Sequence, residues 1–188
     1  MSVKQKRRGR PQAQTSQLDA ERILSKAKEL MLRDNKMPSV RGLATELSVD
    51  AMAIYHYFRN KNALQESIVV SLIEDIYQPD SSEGWRAQLS QLCISYVSLL
   101  HRYPGLLETL LKMDSVSPAN VFIERYETIV KPLGLTPETT KNAIDLLADY
   151  LHGFALALNC QPSSELTLDM LSGPLSLVYQ CLEPHVDR

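Results

Sequence analysis

Only three cysteines, Cys93, Cys160 and Cys181, are spread over the 188 residues, and no two of them form a C-x-x-C pair. An odd count at such distances argues against a disulfide framework, and the spacing does not suit a zinc knuckle. A reducing, cytoplasmic setting is the expectation. Long apolar runs are missing as well. The densest, such as Phe154 to Leu158, lie inside amphipathic patterns and fall far short of the roughly 20 residues that cross a bilayer. No membrane partner is therefore expected. Residues 1–17 are basic, but only Met1, Val3 and Ala13 among them are apolar, so the apolar stretch of a secretory signal is lacking there. Sustained apolar/polar alternation is scarce, which argues against strands. There is no glycine-rich phosphate loop, no nucleophile motif and no metal signature, so neither an enzyme nor a bound cofactor is expected.

What the chain does have is charge separation. Residues 1–62 carry 13 Lys and Arg against 6 Asp and Glu, whereas residues 63–188 carry 7 against 16. A basic end joined to an acidic remainder fits a polyanion-binding part attached to one that avoids polyanions. Solvated basic faces are common, so charge alone leaves the matter open.

Apolar residues recur at i, i+3, i+4 and i+7 almost throughout, which predicts an all-α protein of about nine helices. Asp19 can cap a first helix carrying Ile23, Ala27, Leu30 and Met31 and ending near Asp34–Asn35. Ser39 can cap a short second helix, Asp50 a third only two residues after it, and Asn60 a longer fourth running to about Tyr77. The breaker cluster at 78–84 marks a domain-scale joint. Further helices are expected at about 85–102, 104–113, 119–132, 137–159 and 166–183. Gly173-Pro174 should kink the last of these or delay its start. The organisation read from this is a disordered basic arm at 1–17, an N-terminal helical domain at 18–62 and a C-terminal domain at 63–188.

Two short helices joined by a tight turn and followed by another helix form the pattern of a helix-turn-helix. Val40, Leu43, Ala44, Leu47, Val49 and Ile54 would fill its core. Asp50, Ala51, Met52, Tyr55 and His56 would then lie on the face offered to the major groove. Asp50 reads first as the helix cap, with acceptance of a hydrogen bond from a cytosine amino group as the alternative.

This stretch closely resembles the tetracycline-repressor family. The resemblance runs over about residues 19–68 and is carried by Val40, Arg41, Leu43, Ala44, Leu47, Val49, Ile54, Tyr55, Tyr57, Phe58, Lys61 and Leu64. It implies that Tyr55 and Lys61 touch DNA phosphates, with Ser39 and Arg41 also facing the backbone. A lysine at a helix N-terminus agrees physically, because free N–H groups and a full positive charge then meet the phosphates together. Base contacts would fall to Ala51, Met52 and His56, an apolar contact with a thymine methyl suiting Ala51 or Met52. Tyr57 is expected to pack inside. Ser48 departs from the glycine usual in the turn, and Gly42 should weaken the second helix by about 0.5–1 kcal/mol. In the arm, Arg8-Gly9-Arg10-Pro11 resembles an AT-hook core, so Arg8 and Arg10 either enter an A·T-rich minor groove or form a generic basic tail.

For the C-terminal part, the same resemblance implies a homodimer through the last two long helices, where Gly153, Ala155 and Ala157 permit close approach. The expected partners are thus a palindromic double-stranded DNA operator, a second copy of the chain and a small-molecule effector. Candidates for the effector cavity are Tyr96, Met113, Phe122, Tyr126 and His152, each of which also reads as plain core. Asp145, Asp149 and His152 share one helix face. A solvent-facing polar stripe, or hydrogen bonding across a dimer, is favoured there over a metal site, so no metal is expected. The function this implies is a repressor released from its operator by the effector. The alternatives are a ligand-independent DNA-bound structural or interaction protein on the same fold, and a redox sensor through the cysteines, all three of which read as buried inert thiols.

Overall fold

The computed structural model describes residues 18–80, 82–113, 115–160 and 165–183. The basic arm with Arg8 and Arg10, and the loop around Pro162, lie outside the described residues. Among those described, nine α-helices form and no strand does. They are α1 (Ala20–Asp34), α2 (Val40–Leu47), α3 (Ala51–Tyr55), α4 (Lys61–Ile73), α5 (Trp85–Arg102), α6 (Pro104–Leu111), α7 (Ser117–Val130), α8 (Pro137–Cys160) and α9 (Ser172–Leu182). None of the described helices is long and apolar enough to cross a membrane.

The first four helices begin where a short polar side chain can replace a missing helical partner. Asp19 accepts from the Arg22 amide at 2.7 Å, Ser39 from Gly42 at 3.1 Å, Asp50 from Met52 at 2.7 Å and Asn60 from Ala63 at 2.8 Å. The α1–α3 head closes on Ile23, Ala27, Leu43, Ala44 and Ile54, all buried, and α4 brings Leu64 and Ile68 against it. From α4 onward the body stacks α5 on α7 and α8, with α4 on α7 and α9 beside α5 and α8.

Three expectations need correction. The fourth helix stops at Ile73 rather than near Tyr77. Arg125 of α7 donates to the carbonyls of Glu74 at 3.0 Å and Ile76 at 2.6 Å, giving the chain there charged partners outside the helix. Tyr57 is 45% exposed, because the next residue, Phe58, takes the core position at 7% exposure; the Tyr57 hydroxyl donates to the Leu18 carbonyl. Cys160 and Cys181 are exposed, and only Cys93 is buried, its thiol pushed up to about 12 by burial. The delay at Gly173-Pro174 is seen: Leu168–Leu171 form a 3-10 turn before α9 begins.

Ser48 takes the left-handed conformation, φ 56° and ψ 42°, with its amide donating back to Thr45 at 3.0 Å. A side chain there is strained by roughly 1–2 kcal/mol, partly offset by the freedom that glycine brings to the unfolded chain. Ser48→Gly should therefore raise the unfolding free energy by up to about 1 kcal/mol, read as a higher urea midpoint at unchanged slope.

Candidate nucleic-acid interface and effector core

Helix α3 is held by its Asp50 cap and by Ile54, the only fully buried residue it contains. That anchoring turns the rest of α3 outward. Met52 is 65% exposed, and Tyr55, His56 and the cap Asp50 are exposed beside it. Ala51 is half-buried against the core, so its methyl lies at the base of this face rather than at its crest. Ser39 and Arg41 at the start of α2, and Lys61 at the start of α4, are exposed.

The head's cations fall into two groups. Lys26 pairs with Glu29, Lys28 with Asp75 at 3.0 Å, and Arg33 with Asp34 and Glu46, both at 2.8 Å. Arg41, Arg59 and Lys61, and Lys36 in the α1–α2 loop, make no ion pair among the described residues. Lys61 also stands where α4 leaves its first amides free, apart from the one capped by Asn60. Unneutralised cations at helix starts, beside a protruding apolar and aromatic crest, are what a duplex needs: charge for phosphates and a shape that enters a groove. Arg59 was not singled out from the sequence. Its signal is its place just before the α4 cap.

In the body, α5, α7 and α8 bring together three of the five candidate effector residues. The Tyr96 hydroxyl lies 2.8 Å from His152 Nε2, and its ring sits 4.7 Å from that of Phe122. Burial pushes the Tyr96 phenol up and holds the His152 imidazole down, the latter opposed by nearby Asp149, so the pair persists as neutral groups. This separates the expected stripe: Asp145 pairs with Lys141 while His152 turns inward. Tyr126 lies one turn after Phe122 on α7, is fully buried, and its hydroxyl has no hydrogen-bond partner among the described residues. Its phenol is pushed up to about 12, by burial first and by Cys93 and Glu127 next. Met113 is elsewhere, in a cleft of about 190 Å³ with Asn62, Gln65, Glu66, Lys112 and Ser115. A larger cleft of about 780 Å³ opens between α7 and α8 over Ile123, Val130, Leu135 and Ile144, and none of the five candidates lines it.

An unsatisfied buried hydroxyl is destabilising by roughly 1–3 kcal/mol, so its removal in the same ring is a sensitive probe. Tyr126→Phe should raise the thermal midpoint by about 2–6 °C, whereas Tyr96→Phe, which strands the His152 nitrogen, should lower it.

On α8, Leu146 is 70% exposed and Leu156 56%, with Gly153 and Ala157 also exposed, and on α9 Leu177 is 64% exposed. No atom stands within 4 Å of where a Gly153 side chain would begin.

Residues 78–171 match the family model described as the C-terminal domain of tetracyclin repressor-like proteins. The chain belongs to the tetracycline-repressor family. Among curated relatives, this family member is 26% identical over 134 residues to the HTH-type transcriptional repressor DrrR1 of Streptomyces coeruleorubidus, covering 68% of this chain and 48% of that one. The chain thus spans about half the length of the curated relative it matches. Its fold is that of apo ActR from Streptomyces coelicolor, with TM-score 0.72, 19% identity and coverage of 88% of this chain and 94% of that one. The BioQ of Mycobacterium smegmatis gives TM-score 0.73 and 17% identity, covering 89% and 99%.

Proposed function

We propose that this tetracycline-repressor family protein is a homodimeric transcriptional repressor that binds a palindromic operator and is released from it by a small-molecule effector. The observation that carries the reading is the set of cations around α3: Arg41, Arg59 and Lys61 make no ion pair among the described residues, whereas Lys26, Lys28 and Arg33 of α1 are paired. Tyr55, Lys61, Ser39 and Arg41 contact phosphates, and Met52, His56 and Ala51 meet base edges. Leu146, Gly153, Leu156 and Ala157 of α8, with Leu177 of α9, join two copies, which sets two α3 helices one turn of DNA apart, about 34–36 Å. BioQ has been crystallised with its double-stranded operator and ActR with actinorhodin, so this fold accommodates both kinds of partner.

Operator binding and effector binding oppose each other only if the effector prefers the form that binds DNA poorly, and the coupling is reciprocal. Tyr96, Phe122, Tyr126 and His152 form the effector core. One observation favours a second reading, a regulator that needs no effector: Tyr96, Phe122 and Tyr126 are only 6%, 6% and 0% exposed and fill that core with their own side chains.

The test is fluorescence anisotropy of the purified protein on duplex DNA selected by it from a random pool, titrated with salt and compared with unrelated duplex. The expected result is tight, palindrome-dependent binding that weakens on Lys61→Ala and Arg41→Ala, each also reducing the salt slope by about 1. Equal, weak binding to every duplex would overturn the repressor reading.

A further inference from the structure

At one joint between head and body, head backbone lies directly against a glycine of the body. On the body side, α5 ends at Arg102, and Tyr103, Pro104 and Gly105 turn the chain into α6. This elbow is pinned. Tyr103, Leu106 and Leu107 are buried, the Tyr103 amide donates to Leu99 at 3.0 Å, and the Leu106 amide donates to Tyr103 at 2.8 Å. On the head side, α1 ends at Asn35 in the left-handed conformation, φ 52°, and Lys36 follows. A Cβ placed on Gly105 would fall 2.9 Å from the Lys36 Cα and 3.1 Å from the Asn35 carbonyl oxygen. Both atoms are main chain and cannot rotate away, so only a shift of the loop or of α6 makes room. Three residues after Lys36 comes Ser39, the cap of α2, and then Arg41, one of the unpaired cations. A displaced loop therefore carries the start of α2 with it.

The other ties run along α4, which continues from the head into the body: it packs on α7, Lys28 of α1 donates to the Ser71 carbonyl at 2.8 Å and pairs with Asp75 at 3.0 Å, and the Ser115 hydroxyl donates to Glu66 at 2.6 Å. The Gly105 joint joins segments other than α4, the α1–α2 loop and the α5–α6 elbow, and so adds a separate constraint on the angle of the head.

We propose that Gly105 is a specificity-determining positioning residue: its missing side chain lets the α1–α2 loop rest directly on the α5–α6 elbow, and this fixes the angle at which each head is presented to its half-site. The inference rests on the repressor reading. Each head keeps its own phosphate-binding surface whatever its angle, so non-specific affinity is indifferent to the joint. Two heads that must meet two half-sites at once are sensitive to it.

The experiment compares wild-type protein, Gly105→Ala and Gly84→Ala on the selected duplex and on unrelated duplex. Gly84 is the control, because a Cβ there meets no atom within 4 Å. Helix propensity alone would favour alanine at position 105, which opens α6, so a local effect and the joint predict different results. The expected outcome for Gly105→Ala is about a tenfold loss of affinity for the selected duplex, with binding to unrelated duplex within about twofold of wild type. Gly84→Ala should match wild type on both. If Gly105→Ala lacks wild-type helical content, the comparison is repeated in the Tyr126→Phe background. Unchanged affinity of Gly105→Ala for the selected duplex, or equal losses on both duplexes, would overturn the role of Gly105 and leave the repressor reading intact. A wild-type protein that prefers neither duplex would overturn both.

Discussion

Replacing Ile54 by alanine is expected to lower the unfolding free energy by about 2–4 kcal/mol and to abolish operator binding. Ile54 is 0% exposed and is the only buried residue in α3. Deleting three of its side-chain carbons removes apolar contact and leaves a void that the surrounding core can close only in part. The consequence for α3 exceeds the consequence for the core. A helix of five residues has no stability of its own, since nucleating a helical turn is unfavourable in water. Without Ile54, the Asp50 cap and the carbonyl of residue 54, which accepts the amides of Tyr57 at 3.0 Å and Phe58 at 3.1 Å, no longer hold the helix against α2. Met52→Ala provides the contrast. Met52 is 65% exposed, so its loss should change stability by less than about 0.5 kcal/mol while altering which bases are preferred. Urea unfolding followed by circular dichroism, together with anisotropy on the selected duplex, separates the two. An Ile54→Ala protein of wild-type stability would show that α3 is held by something other than this contact.

Leu156→Glu should convert the protein to a monomer and weaken operator binding on the order of a hundredfold or more, with little change in the stability of each protomer. Leu156 is already 56% exposed in the single chain, so a carboxylate there stays in water when the protomer folds. In a twofold interface each substitution appears twice, and both charges would have to be buried against apolar partners such as Leu146 and Leu177. Separate heads then bind half-sites independently, without the high effective concentration that linkage confers. Sedimentation velocity measures the assembly, and anisotropy measures the binding. A dimeric Leu156→Glu protein would move the interface away from this face of α8. A monomer that keeps full operator affinity would dispense with the dimer altogether.

The four caps at Asp19, Ser39, Asp50 and Asn60 were legible because capping is local: a short polar side chain reaches an amide two or three residues ahead whatever the rest of the fold does. The apolar set Ile23, Ala27, Leu43, Ala44 and Ile54 was legible for a related reason, since helical spacing alone places it on facing sides. At Tyr57 and Phe58 local pattern was insufficient. Both are aromatic, and only the angle at which the chain leaves α3 decides that the phenylalanine turns in while the tyrosine reaches Leu18. Arg125 resembles any surface arginine in the sequence, yet it donates to carbonyls 49 and 51 residues earlier. The exposure of Cys160 and Cys181 is not legible in the sequence, because α8 and α9 carry more apolar surface than a single chain covers and an apolar surrounding in sequence does not mean a buried one.

The sequence by itself therefore determined where the first four helices begin, which residues of α1 to α3 face their shared core, and that a basic N-terminal part precedes an acidic remainder, because propensity, capping and periodicity act within a few residues. Tertiary structure alone decided which cations remain unpaired, that the Tyr126 hydroxyl goes without a hydrogen-bond partner among the described residues, and that a side chain at Gly105 would meet backbone. Each of these depends on distances between segments far apart in the chain, such as the 2.9 Å from position 105 to the Lys36 backbone, and no local rule supplies such a distance.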